Sequence, residues 1–257
     1  MKTSTVVATF LSAMTFENSL KGLFLSVKKV SKLRQVQWAP ILLVVVNVFG
    51  ILFGPLYLVS QFTNGDCARN SLIFKINMHL FFFAFNLFLV FKTWAVAQKR
   101  VSVMVVGCLL LAHIVFWAVM DWIKSYGFQD AITGFCLYHQ AQIPAFGFLL
   151  GDLLVDIFCT ATTLYCAIRD VDQSSSKMQR LYNVLIADNV VRTVLILGVN
   201  TILIIYCATG ALETNTNESD ILLILPNLSS YVYSVALNSE FFWMSMRTAV
   251  MAGNHDD

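Results

Sequence analysis

Apolar residues in this chain come in long unbroken blocks, and polar residues gather in the gaps between them. Six blocks reach the length of about 20 apolar residues that a helix needs to cross a bilayer. They cover residues 39–60, 72–91, 101–122, 145–168, 191–212 and 221–244. The connectors read QFTNGDCARN, KTWAVAQKR, KSYGFQDAITGFCLYHQAQI, RDVDQSSSKMQR and ETNTNESD. Transmembrane barrels instead show short segments of alternating polarity. The pattern predicts an all-α polytopic transmembrane bundle with six spans over residues 38–247, followed by a short cytosolic tail, 248–257. Pro40 and Pro144 stand at predicted helix starts, where a missing N–H costs little. Pro55, inside the first block, predicts a kink.

Composition agrees with this class. Hydrophobic residues make up 58% of the chain and charged residues 12%, with a mean hydropathy of +0.71. Soluble domains carry roughly twice that charge fraction. Placement of charge says more than its net value of +2. Lys92, Lys99, Arg100, Arg169, Lys177, Arg180 and Arg247 flank one side of the six blocks, together with the basic N-terminal segment. The other side has Arg69, Lys75 and Lys124. By the positive-inside rule the richer side, with the C-terminus, is cytosolic.

Residues 1–37 leave two readings open. In FENSLKGLFLSV, residues 16–27, Phe16, Leu20, Leu23, Phe24 and Val27 share one helical face. That spacing suits an amphipathic helix on the membrane, with Lys28, Lys29, Lys32 and Arg34 reaching anionic headgroups. Alternatively residues 3–27 form a weak extra span that carries Glu17 and Lys21 into the bilayer. VVATFLSAM has the apolar centre of a signal peptide but no small-residue cleavage site after it.

Six cysteines show no metal-ligand spacing. Cys108, Cys159 and Cys166 fall inside spans and read as small apolar packers. Cys67 and Cys136 fall in non-cytosolic loops, where an oxidising compartment allows a disulfide; Cys207, near the same end of its helix, competes for that pairing. On the same face Asn217-Glu218-Ser219 is a glycosylation pattern. Asn227-Leu228-Ser229 lies within the last apolar run.

Charges inside spans are the candidate chemistry, because the bilayer makes them costly. In LIADNVVRTVLILGVN the run 193–212 is already long enough to span. Arg192 is then expected at the cytosolic boundary, snorkelling to water and paired with Asp188 one turn earlier. Asp152 and Asp156, in GDLLVD, have no such escape and share a helical face. At 1.5 Å per residue Asp156 lies about 16 Å from the outer end and Asp152 about 10 Å. His113 matches the first depth and His79 the second, so two Asp–His pairs are expected. Asn47, Asn86 and Asn200 also project within spans. Such a set is either a static polar network or a titratable chain.

The chain has no HExxH, GxSxG, Walker loop or dinucleotide glycine pattern. Asp152-x-x-x-Asp156 matches half of the aspartate-rich site of membrane phosphatidyltransferases, without its upstream acids. No lysine occurs between Ile221 and Met246, which removes the usual retinal Schiff base. No catalytic residue, metal, cofactor or nucleic-acid partner is expected; the bilayer and a small-molecule ligand are.

The topology resembles that of G-protein-coupled receptors, with the six blocks as helices two to seven. In that frame Cys67 sits at the outer start of helix three and Cys136 in the second outer loop, a pair receptors commonly bridge. VFKTWAVAQKR lacks the acidic–arginine–aromatic triplet of that family, and LPNLSSYVYSVALNSEFFW lacks its asparagine–proline–aromatic switch. NVVRTVLILGVN and YSVALNSEFFWMSMR, within residues 181–247, resemble orphan seven-helix membrane proteins of filamentous fungi. Together these readings imply a receptor-like or sensor-like protein. A proton- or cation-coupled transporter using Asp152 and Asp156 is the alternative, and a structural or truncated membrane component the third.

Overall fold

The computed structural model describes residues 3–31, 38–62, 66–129, 136–171, 176–208 and 219–252. Seven helices account for most of these residues: α1 (Thr3–Val30), α2 (Trp38–Phe62), α3 (Cys67–Val96), α4 (Val101–Lys124), α5 (Gln142–Val171), α6 (Ser176–Ala208) and α7 (Ser219–Ala252). An antiparallel hairpin of β1 (Tyr126–Gln129) and β2 (Cys136–His139) interrupts them between α4 and α5. Long apolar runs become helices because a helix satisfies its backbone hydrogen bonds within one segment. Windows in α2 to α6 are long and apolar enough to cross a membrane: Trp38–Gln61, Cys67–Val96, Val101–Lys124, Gln142–Arg169 and Asn189–Ala208. That is five helices, as expected of a multi-pass membrane protein. The sixth predicted block lies in α7, a continuous helix that is not among the five; it carries Asn227, Ser230, Ser234 and Glu240 among its apolar residues.

Each helix packs on the next in sequence, and α7 closes on α1. Inside this ring, α3 also touches α5, α7 and both hairpin strands. Its Phe81, Phe82, Phe85, Phe88 and Leu89 belong to one buried core with Leu43 and Val46 of α2, Ile114 of α4, Phe148 and Val155 of α5, Ile196 of α6 and Tyr233 of α7. Asp66 caps α3 by accepting from the Arg69 N–H at 3.3 Å. The turn from α3 to α4 is tight, with Gln98 at φ 55° and Lys99 at φ 60°. Both sit in the left-handed region that side chains rarely occupy. Pro55 lies inside α2, and Pro226 lies inside α7.

The N-terminal segment is a 28-residue helix packed lengthwise on α2 and α7. The face it packs on the bundle is not the bulky apolar one read as lying on the membrane. Ser4, Ala8, Ser12, Thr15, Ser19, Gly22 and Ser26 are inward, whereas Phe24 and Val27 are exposed. Small residues win because they let helix backbones approach closely, which drives packing where no hydrophobic effect operates. The closeness is specific at Gly50, where an added Cβ would collide with Ser19, and at Gly22, where it would strike Asn47 and Asn238. Asn238 also donates to the Asn18 carbonyl at 2.7 Å, and Asn18 to Ser234 at 3.1 Å. Of the four basic residues expected at headgroups, Lys28 and Lys29 form the last turn of α1; Lys32 and Arg34 lie outside the described residues.

Candidate functional site

Three charged clusters tie the bundle together at three levels. The first lies under the hairpin, held there by the Cys67–Cys136 disulfide. Lys75 and His79, one turn apart on α3, face Asp121 of α4 at 2.6 and 3.3 Å. The other Asp121 oxygen accepts from Ser125 at 2.7 Å and from Gln140 at 2.6 Å. All three ammonium hydrogens of Lys75 are used, on Asp121, on Gln140 Oε1 at 3.1 Å and on the Tyr138 hydroxyl. Ser125 also accepts from the Ala141 N–H at 2.9 Å, binding the foot of β2 to the end of α4. Burial holds the Tyr138 phenol above its ordinary pKa, and the charge of Asp121 adds to the effect.

The ring of His79 is fixed by its two neighbours. Trp122 donates its indole N–H to His79 Nδ1 at 2.8 Å. An indole N–H only donates, so Nδ1 carries no hydrogen and Nε2 carries it toward Asp121. His79 is therefore the neutral tautomer. Protonating it means breaking the Trp122 bond and adding a second cation beside Lys75.

The second cluster centres on Asp152 of α5, which is 2% exposed. Asn86 of α3 donates to one carboxylate oxygen. Asn200 of α6, at 2.7 Å, and the Tyr233 hydroxyl of α7 donate to the other. One carboxylate thus joins four helices. One turn along α5, Asp156 faces Arg192 of α6, with Nε to Oδ1 at 3.4 Å. The Arg192 guanidinium also donates to Thr160 at 3.1 Å, and Thr160 pairs with Thr193 at 2.6 Å. The second oxygen of Asp156 is buried and accepts no hydrogen bond from the described residues. The third cluster is Lys92 of α3 with Glu240 of α7 at 2.5 Å.

An aromatic layer separates the first cluster from the second. The Phe148 ring lies 4.5 Å from His79 and 6.2 Å from Phe82, whose ring stacks edge-on at 4.8 Å against Tyr233.

No protein-family model and no curated protein sequence matches this chain.

Several expected sites are brought together and others are not. Cys67 and Cys136 are bridged, and Cys207 is a free buried thiol whose carbonyl accepts from Gln142. Asp152, Asp156, Asn86 and Asn200 are buried within hydrogen-bonding sets as expected of polar residues in spans. The two Asp–His pairs do not form. His79 pairs with Asp121 instead of Asp152, and His113 accepts from Trp117 on its own helix at 3.1 Å rather than meeting Asp156. Depth along a helix leaves direction around its axis open, and these pairs fail on direction. Arg192 is also not a boundary residue. It is 4% exposed and turned to Asp156, which stands midway along the apolar stretch Gln142–Arg169. The Asp188 side chain and Asn217 lie outside the described residues. Asn227 and Ser229 are buried in α7, so that pattern is no sugar acceptor.

Lys75 and Asp121 went unread in the sequence, both resembling ordinary charges at helix ends. A signal was present nonetheless. Lys75 and His79 are spaced i, i+4, and Asp121 is the acidic residue nearest the same end of the next span.

Proposed function

We propose that the chain is a seven-helix membrane protein of receptor-like or sensor-like type, without catalytic chemistry, in which α1 and α7 cross the bilayer with the other five. The observation that carries this reading is the wiring of α3. Its hairpin end is stapled by a disulfide and joined to α4 through Lys75, His79 and Asp121; its middle is joined through Asn86 to the carboxylate that holds α5, α6 and α7. A displacement under the hairpin has a continuous packed route to the far helices. Charges saturated in this way suit two alternative packings of a bundle better than a path for ions. The first cluster lies beneath the hairpin, whose disulfide requires an oxidising, non-cytosolic compartment. The basic loops then face the cytosol with the C-terminus. The likeness of residues 181–247 to seven-helix proteins of filamentous fungi accords with this reading.

The unpartnered oxygen of Asp156 favours the second reading, a proton- or cation-coupled transporter. Reconstitution in vesicles with an internal pH dye separates the two. After an acid jump, vesicles holding the wild-type chain are expected to acidify at the rate of empty ones. A faster rate that Asp156→Asn abolishes would establish the transporter instead.

A further inference from the structure

Glu17 and Lys21 of α1 lie on the outside of the bundle, paired with each other at 2.6 Å, their side chains 66% and 69% exposed. Their depth follows from the packing of α1 on α2. A Cβ on Gly50 would strike Ser19, and one on Gly54 would meet Phe16 and Ser12. Gly50 is the middle of the apolar stretch Trp38–Gln61. Ser19 is therefore level with the centre of a membrane-crossing helix. Glu17 and Lys21 flank it by about 3 Å each along the axis. About 15 Å of hydrocarbon then lies on either side, farther than a lysine stem reaches. Charged side chains at that depth face protein or water, not lipid.

The surface around the pair has the period of a helix–helix seam. Phe10, Glu17 and Phe24 recur every seven residues, and Ala13, Leu20 and Val27 follow each by three. That is the a and d spacing of a coiled coil. Phe10, Phe24 and Val27 are 62%, 69% and 50% exposed. The seam lies opposite the buried small-residue face, since Glu17 is about 200° round the helix from Thr15. Beside it is a recess of about 140 Å³ lined by Met14, Glu17, Asn18, Lys21, Tyr231 and Val235.

We propose that a second copy of this chain packs on this face, α1 against α1 about a two-fold axis, with Glu17 of each copy meeting the partner's Lys21. The proposal rests on α1 crossing the membrane. Charge complementarity selects the occupant. Each chain presents one acid and one base a single turn apart, so two-fold pairing sets four charges in a neutral ring. A polar pair at one level of an otherwise apolar seam also fixes its register.

The test counts subunits of the full-length, fluorescently tagged chain in lipid vesicles by single-molecule photobleaching. The wild type is expected as dimers. Glu17→Lys alone, or Lys21→Glu alone, places four like charges at the seam and should weaken association by about tenfold or more. Mixing the two variants should restore pairing between unlike chains, which also establishes that both are folded and inserted. A monomeric wild type, single variants that pair as well as the wild type, or mixed chains that stay apart would overturn the proposal. An impermeant thiol reagent applied to Thr3→Cys and Ser31→Cys separates the causes. Labelling from opposite sides with a monomeric chain removes the dimer alone; labelling from one side removes the membrane-crossing α1 as well.

Discussion

Asp121 accepts four donors from three segments, and of these Lys75, His79 and Ser125 are buried with it. Removing one member of such a set leaves an uncompensated buried charge, at a cost of about 3–5 kcal/mol. Lys75→Met should therefore lower stability by that order, measured by thermal unfolding in lipid nanodiscs. Lys75→Met with Asp121→Leu should recover most of the loss, since replacing both charges by apolar groups is often near neutral. Asp152 behaves as a hub of hydrogen bonds. Asp152→Ala strands the donors of Asn86, Asn200 and Tyr233, each worth about 1–3 kcal/mol when buried without a partner, whereas Tyr233→Phe should cost only about 1 kcal/mol. The same unfolding measurement ranks the two. At this scale the sequence told that Asp152 and Asp156 were buried but not what they faced, and it left Arg192 at the surface. Carboxylates in GDLLVD had no route to water, so burial followed from bilayer physics. Partner choice depends on rotation about helix axes, which is why Arg192 met Asp156 and both histidines found other neighbours.

Among elements, the hairpin and the α3–α4 turn carry the clearest consequences. Tyr138 and Gln140 follow Cys136 closely and close over Lys75, so the disulfide keeps the first cluster covered. In a chain with Cys67→Ser and Cys136→Ser, Lys75 should react severalfold faster with an impermeant amine reagent added on the hairpin side, read by peptide mass. Unchanged reactivity would mean that the strands hold without the bridge. The left-handed residues of the turn predict a gain elsewhere: Lys99→Gly should raise stability by about 1 kcal/mol in the same unfolding assay, because glycine adopts that conformation without strain. Helix positions were legible from the apolar blocks because a spanning helix needs length above all. The seam of α1 was not. Bulky residues at helical spacing read as a stripe turned to the membrane, while the contact with the bundle is made by Ser12, Ser19 and Gly22, which permit the closer approach.

Over the whole molecule, the seven helices follow one another round a ring that α3 ties together, with charged ties at three levels and a covalently held hairpin over one end. Treating α1 and α7 as spans gives an odd number of crossings, and parity is directly measurable. The test uses Thr3→Cys and Ala252→Cys, each in a Cys108→Ser background, in sealed vesicles of one orientation with an impermeant thiol reagent. Seven crossings predict that one position is labelled in intact vesicles and the other only after they are opened. Labelling of both from the same side would contradict the seven-helix account.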